Sequence, residues 1–232
     1  MFQTGIAVAA DHAPAVRSRI RRWARVSMAA HVVFVAAFLI AASWQGPRYS
    51  VTAHSISDMY AQGAPHAAFL IVVNTCCGAA GLLFVSRSLW PVLRPAGGLA
   101  RLGCVLFSLA PFGVGDLLTP FERLACRQAD PECSASDQLA NSGGTMDNLL
   151  TSVGMVAMVA GAFVLASAMK RLPRWAAWVR PVRLSAAVLL LLLVATVLSG
   201  PAGLDGLFER LVAGFGAACV IALGAAVLRE GA

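Results

Sequence analysis

Six stretches of the chain are almost wholly apolar, at residues 24–44, 66–86, 99–118, 148–169, 183–200 and 207–228. Each is close to the ~20 residues that cross a hydrocarbon core as a helix. Backbone N–H and C=O groups cannot go unpaired in lipid, so the runs predict helices. The chain therefore reads as all-α, a polytopic transmembrane bundle of six helices over residues 23–229, preceded by a polar, Arg-rich cytoplasmic tail at 1–22. The first run has a basic start and ends in Ala41, Ala42 and Ser43, as a secretory signal would. Its apolar core exceeds the ~7–15 residues of a cleaved signal and is followed by Trp44, so it reads as helix one.

The polar segments refine this plan. Between helices one and two, Ser55 and Asp58 have the spacing of a capping box, Gly63 can end a short helix and Pro65 can begin the next. A short interfacial helix at 56–62 is expected there. The stretch from Arg87 to Gly98 reads as a simple connection. The longest polar segment is the loop 119–145, which carries Cys126 and Cys133. Helix four opens at Gly143-Gly144-Thr145, with Thr145 as N-cap and Asp147 placed to complement the helix dipole. In helix six Gly214, Ala218, Ala222 and Ala226 recur every four residues, a small-residue seam for helix–helix association.

Composition agrees with lipid as the solvent: 59% of residues are hydrophobic, 12% are charged, and the mean hydropathy is +0.75. A net charge of +7 would suggest an acidic partner if it were evenly spread, but it is one-sided. All 18 basic residues except Arg48, Arg123, Arg127 and Arg210 fall at one set of helix ends. The acidic residues fall at the other set, apart from Asp11 and Glu230. By the positive-inside rule both termini are cytoplasmic, the protein is a multi-pass protein of the plasma membrane, and the basic balance is no nucleic-acid footprint. Trp23, Trp90, Trp175 and Trp178 at the inner boundaries and Trp44 at an outer one suit residues that prefer headgroup level. The loop 119–145 would then face an oxidising compartment, where a disulfide between Cys126 and Cys133 is expected. Cys76, Cys77, Cys104 and Cys219 lie in apolar runs and read as packing residues.

Candidate chemistry gathers at the outer ends. Helix three reaches Asp116 just after Pro111, Gly113 and Gly115, which loosen it. A carboxylate at that depth faces a partner or a watery cavity, unless it merely caps the helix. His54, Asp58, Tyr60 and His66 would surround one pocket at headgroup depth, with Asp147, Asp205 and Glu209 near the same level. Asn74 lies one helical face below His66 and either joins that pocket or bonds a neighbouring helix. His31, deeper in helix one, reads as an interhelical hydrogen-bonder. The chain has no Walker loop, dinucleotide fingerprint, His-Glu-x-x-His or Gly-x-Ser-x-Gly, and no metal or cofactor is expected. The ionisable residues avoid the midplane where transport sites lie, which argues against a transporter.

The run Trp44-x-Gly46-Pro47-x-Tyr49-Ser50, then Ser55-Ile56-Ser57-Asp58, six helices, an Asp at the end of helix three and a cysteine-bearing loop resemble a bacterial membrane family called domain of unknown function 998. Members of that family often carry a His at the start of helix four, where this chain has Met146-Asp147-Asn148. The family is similar in outline to eukaryotic six-helix proteins linked to lipid and lipid-anchor handling, and the resemblance implies a lipid-facing role. Two readings follow. In the first, the outer pocket binds an amphiphile headgroup, a membrane lipid or an isoprenoid, through His54, Tyr60, His66, Asn74 and Glu209. In the second, the protein is an intramembrane enzyme in which Asp116, with Asp58 or Asp147, supplies general acid–base catalysis to such a substrate.

Overall fold

The structure, a computed structural model, describes residues 14–230. All regular structure among these residues is helical. The long helices are α1 (Pro14–Ala41), α2 (Ala67–Phe84), α4 (Ser142–Met169), α5 (Ala176–Ser199) and α6 (Asp205–Glu230), and α3 (Gly98–Leu109) is continued by an arm, Pro111–Phe121. Five helices are each long and apolar enough to cross a membrane, and α3 with its arm passes as a sixth only as a pair bent by 52°. The chain is thus a helical membrane protein. The helices form a closed ring in chain order, with α6 returning to α1 and the arm lying between α2 and α4.

The helices overrun the apolar runs that predict them. α1 begins at Pro14, so residues 14–22 are its first turns; the Arg-rich sequence is a good helix former. Residues 1–13, including Asp11, lie outside the described residues. The expected connection after α2 is also mostly helix. It continues through a π-helical turn at Val85–Leu89 and a short helix at Trp90–Leu93, and the reversal falls at Gly97 with φ 74°. A wide turn just before Pro91 accommodates the missing N–H. Ser88, in that turn, donates to Ile20 O at 2.8 Å and ties α2 to α1.

α4 begins at Ser142, earlier than expected. Its N-cap is Asn141, whose side chain accepts from Gly144 N–H at 2.6 Å, while the Thr145 hydroxyl bonds back to Asn141 O at 3.2 Å from inside the first turn. Asp147 is therefore an interior helical residue. The small-residue stripe of α6 also lies differently. Gly214 has nothing close to it, Ala218 and Ala222 are exposed, and only Ala226 is in the core. The seam inside the bundle instead uses Gly206 against His54 O, Gly216 against Phe112 and Gly224 against Met28. His31 is fully buried, but its Nδ1–H donates within its own helix, to Ser27 O at 2.7 Å.

Candidate functional site

The site begins with a break in α3. Ala110 is extended (φ −62°, ψ 163°), and Pro111, which has no N–H to give, starts the arm. The arm can enter the ring because its neighbours are glycines. A Cβ at Gly78 would strike Leu117 N and Gly113 O, one at Gly81 would strike Phe112 O, and one at Gly154 of α4 would lie 3.2 Å from Leu109 O. Backbone thus packs on backbone, as small residues permit in a membrane helix. Asp116 does not cap a helix end. It lies mid-arm, its carbonyl accepts the Thr119 hydroxyl at 2.8 Å, and its side chain turns into the ring.

There it meets a cavity of about 80 Å³, lined by polar groups from four elements: Asn74 of α2, Asp116 of the arm, Glu209 of α6 and Tyr60 of the short helix Ser57–Tyr60. Phe34, Ile56, Phe112, Met155, Met158 and Val212 supply apolar wall, and the exposed Thr151 stands at its edge. A cavity of this volume has room for several waters or a small polar group. Asp116 Oδ2 and Asn74 Oδ1 are buried without a hydrogen-bond partner. Glu209 Oε2 accepts the Ile56 N–H at 2.9 Å, and the Tyr60 hydroxyl donates to Asp147 Oδ1 at 3.3 Å. Burial and the carboxylates of Asp147 and Glu209 push the Tyr60 hydroxyl well above its ordinary value, so it remains a donor. Among the described residues, no Arg, Lys or His lines the cavity.

The two loops above the cavity form one cap, and several expected site residues belong to it. Ser55 Oγ accepts the Asp58 N–H at 3.0 Å, half of the anticipated capping box. The Asp58 carboxylate does not answer back to Ser55. It is fully buried toward the other loop, accepting N–H groups of Gln128 and Ala129 and the Gln138 amide at 3.2 Å. Burial raises its pKa, and those bonds with His54 and Arg127 nearby oppose the rise. Asp58 is thus a fastening point and not a cavity group. Cys126 and Cys133 are joined with their Cα atoms 5.9 Å apart, and their bond closes the loop that carries these N–H donors. His54 accepts the Ser50 N–H at 2.9 Å through Nδ1 and lies against Tyr49. His66 is exposed at a left-handed backbone position (φ 54°), its ring against Trp44, and α2 starts after it, not at Pro65. Neither histidine reaches the cavity.

Residues 28–226 match the family described as "Protein of unknown function (DUF998)". The chain belongs to this family. No curated protein and no solved structure matches the chain. The DUF998 match runs from within α1 to within α6 and so takes in the arm, the cavity and the cap.

In this DUF998 protein two kinds of residue around the cavity and its cap are not marked out by the sequence. The first comprises three of the four arginines that break the charge asymmetry, Arg123, Arg127 and Arg210. Arg123 donates to Tyr60 O at 3.1 Å and Ala61 O at 3.0 Å, and Arg127 to Gln45 O at 2.9 Å. Arg210 donates to Val51 O at 2.9 Å and His54 O at 2.7 Å, and to the Tyr49 hydroxyl. Their departure from the charge pattern was the available signal, and each of these three has a structural task. The second is Glu122, 4% exposed, with Oε1 unpartnered. It follows the arm directly, and nothing in its loop sequence marks it. Burial, with the charges of Asp147 and Asp116, pushes its carboxyl up to about 8.

The sign of the resulting pH dependence follows from linkage. The folded protein holds a Glu122 proton that the unfolded chain, near the ordinary value of 4.5, has released. The contribution is complete below that value and is lost as pH rises toward about 8. Thermal unfolding in detergent should therefore show the parent losing Tm across this window more steeply than Glu122→Gln; parallel curves would contradict the assignment.

Proposed function

We propose that the protein is a six-span protein of the plasma membrane with both termini in the cytoplasm, and that its cavity holds the hydrogen-bond-donating head of a membrane amphiphile. The span count takes α3 and its arm as one bent crossing, and the orientation rests on the charge asymmetry. On this orientation the cap is outside, and Ser57–Tyr60 lies at the outer interface.

One observation carries the binding reading: the two unpartnered buried oxygens at the cavity, Asp116 Oδ2 and Asn74 Oδ1, are both acceptors. A buried polar atom left unpaired costs about 1–3 kcal/mol, so each favours a guest that brings donors. Asp116 and Glu209 in the wall, with no basic residue there among the described residues, favour a cationic or neutral head. A phosphorylated isoprenoid head would set its charge against both carboxylates, so the ligand is better sought among amines and polyols. The ligand contacts fall to Asp116, Asn74, Glu209 and Tyr60, while His54, His66 and Asp58 shape the cap. General acid–base catalysis would draw on Asp116 with Asp147, and a product that accumulates only with the parent would distinguish it from binding.

Two experiments test these statements. Ser136→Cys, in the exposed part of the cap, should gain labelling by an impermeant maleimide in intact cells, whereas gain only after lysis would reverse the orientation. Asp116→Ala should keep the folded yield and retain about ten-fold less of the co-purifying amphiphile in lipid mass spectrometry, the loss expected for a hydrogen bond to a charged group. Asp116→Asn should show the same loss if the head is cationic and a smaller one if it is a polyol. A lipid profile unchanged in both variants would remove Asp116 from the site.

A further inference from the structure

A second cavity of about 80 Å³ lies between α4, α5 and α6. Its wall is apolar, including Leu165, Met169, Trp178, Leu189, Val220 and Leu223. The two cavities follow one another along the same pair of helices. On α4, Thr151 and Met155 line the polar cavity, Met158 lines both, and Ala162, Leu165 and Met169 line the apolar one. On α6 the order is Glu209, Val212 and Ala213, then Gly216, Cys219 and Val220. From Thr151 to Met169 the helical rise spans about 27 Å, nearly the ~30 Å of a hydrocarbon core.

What divides them is slight. Phe112, in the wall of the polar cavity, packs on Gly216, in the wall of the apolar one, so closely that a Cβ at Gly216 would be 2.6 Å from Phe112 Cε2. The other divider is Met158, an unbranched side chain that readily repacks. Phe112 follows the break at Ala110 and touches His31 and Phe34 edge-on, with ring centroids 5.2 and 5.7 Å away. Phe112 and Met158 therefore stand where the two cavities meet.

We propose that the two cavities are one site for a single-chain amphiphile with a primary amine head, whose ammonium bonds Asp116 and Asn74 and whose alkyl chain passes Phe112 and Met158 into the apolar cavity. The proposal rests on the reading of the polar cavity given above. It adds the charge of the head and the number of chains. The head's charge follows from the wall: Asp116 and Glu209 line it, Asp147 is held just behind by the Tyr60 hydroxyl, and no basic residue lines it among the described residues. Asn74, 3% exposed with its oxygen unpartnered, adds an acceptor that a cluster of carboxylates alone would not require. One chain and not two follows from the small volume of each cavity, about 80 Å³, and from Phe112 and Met158 standing where the two meet.

The test uses the full chain in nanodiscs and three probes: hexadecylamine, octylamine and palmitate. Hexadecylamine should bind at least ten-fold more tightly than either of the others. Ala162→Phe, which fills only the apolar cavity, should reduce hexadecylamine to the affinity of octylamine and leave octylamine unchanged. Hexadecylamine binding no tighter than octylamine, or unaffected by Ala162→Phe, would overturn the joined site while leaving the polar cavity intact as a head site. Failure of both amines to bind would overturn the polar-cavity reading itself. A hexadecylamine carrying a photoreactive group at its chain end gives a readout that needs no variant. Crosslinks should fall on peptides containing 162–169 or 216–223, and crosslinks confined to other segments would overturn the path.

Discussion

The backbone break at Ala110–Pro111 decides where the polar groups of the interior can go. A straight α3 would carry Asp116 along the wall of the ring; the bent arm instead sets it inside, between α2 and α4. That bend is possible only because the arm's carbonyls lie where Gly78 and Gly81 have no side chains. Phe112 is brought against Gly216 by the same arm, so the cavity and its floor have one origin. In a membrane protein such packing has to replace hydrophobic collapse, since lipid is as apolar as leucine.

The cap is built on a different principle. Around a few buried apolar side chains such as Ile56, Met59 and Leu124, backbone groups and arginines knit its two loops together. Arg123 holds the end of the Ser57–Tyr60 helix, Arg127 reaches the chain just after α1, Arg210 holds the 49–54 loop, and Asp58 gathers donors of the disulfide-closed segment. Each arginine presents several donors in fixed directions, which suits carbonyls that turn away from any regular partner. Tyr60 links the two layers, held from above by Arg123 and donating below to Asp147.

The helices were legible in the sequence because a long apolar run has few other solutions in lipid. Their ends were not, since amphipathic or Arg-rich turns such as residues 14–22 continue a helix past the apolar run that betrays it. Asp116 was legible as an interior carboxylate from Pro111, Gly113 and Gly115 alone, although the same residues fit a frayed helix end. Asp58 and the histidines were misjudged because a capping-box spacing and a shared depth say nothing about which way a side chain faces. Asp58 turned toward a loop seventy residues away in sequence, a pairing that no local pattern encodes. The α6 stripe shows the same limit: spacing by four marks a face, and the face that packs inside the bundle is the neighbouring one through Gly216 and Gly224.

The central claim is that Asp116 and Asn74 carry acceptors that a guest satisfies. A density map of the protein extracted directly from its native membrane into nanodiscs tests it most directly. The account predicts elongated density within hydrogen-bond reach of both side chains, continuing past Phe112 toward Leu223. A cavity free of guest density, with the Asn74 and Asp116 side chains bonded to neighbouring helices, would contradict it.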